Sequence, residues 1–248
     1  MTHTRASLFV VSALFFLGCA GSDPSAEGDS AEVADDAITS GVANSGYFIV
    51  TRPDARKCAS PVCGGFFVKR VNQATTQCAD GTKQPECYVS SITFGGIGLS
   101  AREESELRDQ VESGKAIIKA RTYKSTFHGT VLGTLKANEA WVGATGSTPD
   151  GTFYRVADNG IRCITAPCPS TTATALNGEA SGSHDVIDVK LDNTANPADQ
   201  DALDRASQAL GTHEGILLAG GIALPKCKPG SNCGPFVSAS EFYLRVTR

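Results

Sequence analysis

Four residues in this chain recur in the same order 105 positions later, and that repetition constrains the fold more than any other feature. Phe48, Cys58, Cys63 and Asn72 fall on Phe153, Cys163, Cys168 and Asn177 without a gap. Farther on, Leu135-Lys-Ala-Asn-Glu-Ala-Trp-Val142 aligns with Val237-Ser-Ala-Ser-Glu-Phe-Tyr-Leu244, an apolar-x-Ala-small polar-Glu-x-aromatic-apolar pattern in both. The interval from the first loop cysteine to that Glu is 81 residues in one copy (58 to 139) and 78 in the other (163 to 241). Order, spacing and chemistry agree on a tandem duplication, with repeat unit 1 over residues 47–146 and repeat unit 2 over 147–248. Each copy is long enough to hold a small core of its own.

Within each copy the hydrophobic pattern predicts the same succession of elements. A first strand (Tyr47 to Thr51; Phe153 to Ala157) leads through a cysteine loop into a second (Gly65 to Val71; Thr171 to Leu176) and a third (Tyr88 to Phe94; Asp185 to Leu191). A helix follows. In the first copy Ser100 caps it with Glu103 three residues on, and Gly114 ends it. In the second, Asn196 is the expected cap, Pro197 the first helical residue and Gly211 the stop. Two strands close each unit, Ala116 to Tyr123 with Gly133 to Val142, and Ile216 to Leu224 with Pro235 to Val246. This is an α+β, mostly β chain. The order strand-strand-strand-helix-strand-strand resembles the oligonucleotide/oligosaccharide-binding (OB) fold, a small five-stranded barrel. The alternative is an open antiparallel sheet with one packed helix.

The N-terminus has a different character. Arg5 precedes an apolar run from Leu8 to Leu17 that is too short to span a bilayer, followed by Gly18-Cys19. Phe16-Leu17-Gly18-Cys19 resembles the lipobox of bacterial lipoproteins, with Phe16 where that family usually has Leu. The resemblance implies that residues 1–18 are a signal peptide and that Cys19 becomes the acylated N-terminus, anchored to membrane lipid. By the same resemblance, Ala20 after the cysteine, where inner-membrane lipoproteins carry Asp, implies the outer membrane, on its periplasmic or surface face. Residues 19–46 then read as the lipidated cysteine and a disordered tether, with six acidic side chains and no basic one. As a coil the tether spans about 30 Å.

The cysteine count supports this division. There are nine, and removing Cys19 leaves an even set in an oxidising compartment. They form four close pairs, Cys58 with Cys63, Cys78 with Cys87, Cys163 with Cys168, and Cys227 with Cys233. Where one copy lacks a cysteine it lacks the partner too, which is what local disulfides predict. A zinc site built from Cys58, Cys63, Cys163 and Cys168 is the alternative, but four-residue spacing and export both favour disulfides. No metal and no cofactor is expected.

Recognisable reaction chemistry is sparse. Ser183-His184-Asp185 are strand neighbours whose side chains alternate between faces, so they cannot form a catalytic triad as they stand. With 22 basic and 26 acidic residues there is no excess to hold a phosphate backbone, so no nucleic-acid partner is expected. Arg52, Arg56 and Lys57, clustered with Lys69 and Arg70 around the first cysteine loop, are candidate binding residues, as are Trp141 and Tyr243 if exposed. As a whole, residues 47 to 246 resemble an uncharacterised group of exported myxobacterial proteins with a Cys-x4-Cys loop after an opening strand and a CYV-like third strand, here Cys87-Tyr88-Val89. That group brings no activity with it. The expectation is therefore a non-catalytic, membrane-anchored envelope lipoprotein that binds a protein or polysaccharide. A disulfide-braced protease inhibitor and an exported enzyme of unrecognised type are the alternatives.

Overall fold

Several of the longer strands carry apolar residues on both faces, and in the computed structural model both faces are used. The structure describes residues 45–178, 182–226, 228 and 233–247. The expected signal peptide, Cys19, most of the expected tether and Cys227 lie outside the described residues. The first half contains β1 (Ser45–Pro53), β2 (Phe66–Arg70), β3 (Thr76–Gln77), β4 (Lys83–Gln84), β5 (Cys87–Thr93), α1 (Ala101–Glu112), β6 (Ala116–Phe127) and β7 (Thr130–Gly143). The second half contains β8 (Thr152–Asp158), β9 (Thr171–Ala175), β10 (Ser183–Val186), β11 (Asp188–Lys190), α2 (Gln200–Leu210), β12 (Ile216–Ala223) and β13 (Phe236–Arg245). The protein is mostly β, with one large, mainly antiparallel sheet and two short helices among the described residues.

Pairing in the first half runs β1–β2, β2–β5, β5–β7, β7–β6 and β6–β1, antiparallel except for β5–β7. In the second half it runs β8–β9, β9–β10, β11–β13, β13–β12 and β12–β8, antiparallel except for β11–β13. The register shifts between Lys119 and Ala120 on β6, and between Ala219 and Gly220 at the corresponding place on β12. The halves join where β7 meets β13 antiparallel, with Val142 opposite Leu244, Trp141 opposite Arg245 and Gly143 opposite Tyr243.

These strands alternate between two destinations. Phe48, Val50, Ile118 and Leu135 point into the first core, with Leu107 and Val111 of α1. Val156, Leu218, Val237 and Phe242 point into the second, with Ala202 and Ala206 of α2. The intervening residues Ile117, Trp141, Leu217 and Tyr243 meet in a third cluster with Val71 and Leu176. Hence the apolar doublets Ile117-Ile118, Trp141-Val142, Leu217-Leu218 and Tyr243-Leu244, a pattern of strands buried on both sides rather than facing water.

A reciprocal pair of asparagines fixes the contact between the halves. Asn72 donates to the carbonyls of Phe153 (2.7 Å) and Leu176 (2.8 Å) and accepts from the Phe153 amide (2.8 Å). Asn177 donates to the carbonyls of Tyr47 (2.7 Å) and Val71 (3.0 Å) and accepts from the Tyr47 amide (2.9 Å). Each asparagine has left-handed backbone, φ 58° and 53°, a conformation Asn adopts more readily than other non-glycine residues. This geometry corrects the ungapped alignment: Phe48 pairs with Arg70, whereas Tyr154 pairs with Ala175. Phe153 therefore occupies the place of Tyr47, one residue away from its expected counterpart Phe48.

Two further expectations change. Helix α2 is capped by Asp199, whose side chain accepts from the Ala202 amide at 2.7 Å, not by Asn196. Asn196 is held by the segment between the halves, through the Ser147 hydroxyl and the Thr145 carbonyl, so Pro197 precedes the helix. The third strand of the second half breaks at Ile187, whose amide donates to Pro235 at 2.8 Å, giving β10 and β11. The Ser100–Glu103 capping box of α1 forms as expected.

Candidate functional site

Both Cys-x4-Cys loops follow the opening strand of their half and are closed by disulfides, Cys58 to Cys63 and Cys163 to Cys168, each with Cα atoms 5.5 Å apart. Cys78 pairs with Cys87, and Cys233 is disulfide-bonded while its expected partner Cys227 lies outside the described residues. The alternative of zinc thiolates from the two loops is thereby replaced by disulfides. Such bonds mark a chain that folds in an oxidising, exported environment. No helix among the described residues is long and apolar enough to cross a membrane.

The first loop is held against its sheet. The buried Asp54 carboxylate takes the Arg56 guanidinium at 2.9 Å, and the Arg56 fork reaches on to the Val62 carbonyl at 3.1 Å. That hydrogen bond holds the Asp54 carboxyl below the usual carboxylate range. Tyr88, from β5, donates its hydroxyl to the Pro61 carbonyl at 2.8 Å. Cys63 is buried, and the loop tip consists of the small residues Ala59 and Ser60.

The second loop is braced only at its base. Asn159 donates to Pro169 at 2.8 Å and lies within hydrogen-bond distance of Thr172 and Asp185, while its own oxygen accepts from the Ile161 amide at 2.9 Å. Arg162 forms a bidentate pair with Asp158, both contacts 2.9 Å, and lowers the Asp158 pKa. Beyond these contacts residues 161–166 are all exposed, and Ile164 is fully so at 104%. The difference traces to one place in the sheet. Phe67 faces Tyr88 in the first half, where the corresponding pair in the second is Thr172 and Asp185. An aromatic hydroxyl reaches up to its loop; Thr172 and Asp185 engage only the loop's root.

The candidate binding residues fall apart into separate roles. Arg52 pairs with Glu86 and lies 3.6 Å from the Phe67 ring centroid, and Arg56 is committed to Asp54, so neither offers a free charge; Lys57 is exposed. Trp141 and Tyr243 are 0% and 2% exposed. They are core residues where the halves meet and cannot stack on a surface ligand, because the strands bearing them are covered on both faces. The repeated glutamates diverge as well. Glu139 bonds Lys119 at 2.7 Å; burial raises its pKa, but that bond with the charges of Lys119, Arg155 and Arg245 more than offsets it, leaving the pKa lowered. Glu241 is buried and accepts from the Thr145 amide (3.1 Å) and hydroxyl (3.0 Å), fixing the segment between the halves.

None of the three histidines among the described residues is built into a reactive constellation. His128 sits in the exposed β6–β7 turn, His184 on β10, and His213 faces the Asp158 carbonyl at 3.2 Å. Ser183 bonds Thr174 while Asp185 bonds Thr172, so the Ser183-His184-Asp185 run is structural. The sequence pairs Cys163 with Cys168 but does not single out Ile164 as the apex of that loop or Asn159 as its root; an Ile between cysteines in a Pro- and Thr-containing loop is the available signal.

A family profile described as "Domain of unknown function (DUF6748)" matches residues 47–248. The chain belongs to this family. The DUF6748 match takes in both halves, both cysteine loops and both asparagines, and it begins at Tyr47, where Asn177 docks. No curated protein and no solved structure matches the chain.

Proposed function

We propose that this DUF6748 protein is a non-catalytic lipoprotein of the cell envelope that binds a protein partner. In this reading Cys19 is acylated, the acidic segment to residue 46 is a tether, and residues 47–248 are two OB-like barrels descended from one by duplication. Support for the barrels comes from strand pairings that return to their starting strand in the first half and follow the same order in the second. A parallel third-to-last strand pair and a matching bulge recur in each. Support for the duplication comes from the reciprocal asparagines and from Val142 opposite Leu244 at the join. Support for export comes from the disulfides and for anchoring from the Phe16-Leu17-Gly18-Cys19 motif.

The observation that carries binding is the disulfide-closed 163–168 loop, rigid at its root and exposing an aliphatic apex. An aliphatic apex favours protein over polysaccharide, since sugar recognition relies on exposed aromatic platforms, and Trp141 and Tyr243 are buried. The anchoring half of the proposal is tested by expressing the full chain and Cys19→Ala in a bacterium with two membranes. The wild-type chain should sediment with the outer membrane and resist a salt wash, and the variant should move to the soluble periplasmic fraction. Equal distribution of the two would overturn the lipid anchor.

A further inference from the structure

We propose that Ile164 is an apolar knob that seats in an aliphatic pocket on a folded protein partner, and that the 161–166 loop, not its counterpart at 58–63, makes that contact. The inference rests on the protein-binding reading above and specifies its chemistry. A lone exposed aliphatic residue is ordinary on a protein surface, so the argument depends on how this one is presented. The apex is fully exposed at 104%, Ile161 adds a second exposed aliphatic side chain at 40%, and Thr165 and Ala166 beside it are small. Asn159 ties both limbs of the root together, and the Cys163–Cys168 disulfide closes the apex. Fixing a loop in one conformation before binding removes the ordering cost that otherwise weakens association.

The equivalent loop acts as an internal comparison. At 58–63 the same disulfide closure is combined with small tip residues, a buried Cys63 and hydrogen bonds from Tyr88 and Arg56 that pin the loop to the sheet. Both loops have exposed tips, but the first carries the small residues Ala59 and Ser60 there, whereas the second presents the large aliphatic side chain of Ile164. Charge narrows the partner further. Arg162, the ionised side chain nearest the apex in sequence, is neutralised by Asp158 in bidentate geometry. The complementary pocket is therefore neutral, and binding should depend only weakly on salt.

Loop geometry also separates this from a protease inhibitor. A segment entering a protease cleft as substrate is extended, and five residue steps of extended chain cover about 17 Å. The Cys163 and Cys168 Cα atoms are 5.5 Å apart. The closed ring is a folded protrusion that fits a pocket, not a strand that fits a cleft.

The test places a benzophenone photocrosslinker at Thr165 in the full exported chain, with the same group at Ala59 in the first loop as control, and irradiates intact cells. A discrete protein adduct is expected from position 165, absent from 59 and abolished by Ile164→Asp. The crosslinked protein, purified, should bind wild type and Ile164→Val similarly and Ile164→Asp about tenfold more weakly or worse, with thermal unfolding of the variant unchanged. Adducts from other surface positions but none from 165 would overturn the knob and leave the binding reading intact. Absence of any adduct from either loop or the remaining surface would overturn both. An adduct with a second copy of this chain, or an undiminished affinity for Ile164→Asp, would likewise refute the proposal.

Discussion

Replacing Asn72 and Asn177 with Ala is expected to lower the unfolding free energy by about 3 kcal/mol at each site. Each asparagine makes three hydrogen bonds of 2.7–3.0 Å to backbone of the other half. Such bonds contribute about 1 kcal/mol each net, less where water can replace the lost partner. Left-handed backbone at φ 58° and 53° adds about 1 kcal/mol of strain for Ala that Asn largely escapes. Replacement with Gly separates the two effects, because Gly relieves the backbone and still loses the bonds. Urea unfolding should therefore rank wild type above both Gly variants and those above both Ala variants. Ala variants as stable as wild type would mean that the asparagines do not hold the halves together.

Trp141→Ala should cost about 4 kcal/mol, in the range for removing a fully buried large aromatic side chain. Trp141 is completely buried in the cluster that unites Val71, Ile117, Leu176, Leu217 and Tyr243, drawn from both halves. The void would open at the junction rather than inside either core, so loosening should be concentrated there. The expected signs are a lower urea midpoint by circular dichroism and faster proteolysis between residues 144 and 151. A loss under about 1 kcal/mol would contradict a packed junction, since even a modest cavity exceeds that.

Much of the secondary structure was legible because it depends on near neighbours. The Ser100–Glu103 box, the Gly211 stop and the local cysteine pairs are decided within ten residues, and the structure contains each of the described ones. What could not be read depends on residues far apart in the chain. Asn196 looked like a helix cap until Thr145 and Ser147, about 50 residues away, claimed it. Trp141 and Tyr243 were ligand candidates only if exposed; the doublets Trp141-Val142 and Tyr243-Leu244 are compatible with burial on both faces, but that the second cover comes from the other half depends on residues far away in the chain. The asymmetry of the loops was equally hidden, since it depends on whether the residue across the sheet is Tyr88 or Asp185. The two cysteine loops share their spacing and their disulfide closure, and they differ in the strand residue beneath them, Tyr88 against Asp185, and in the side chains at their tips.

The organisation of one lipid anchor and four braced loops is tested most directly by the intact mass of the exported chain under non-reducing, alkylating conditions. The account predicts a chain beginning at Cys19, carrying acyl groups there, with none of the remaining eight cysteines alkylated. A chain without acyl mass, or one whose folded form takes up alkylating agent at those cysteines, would contradict it.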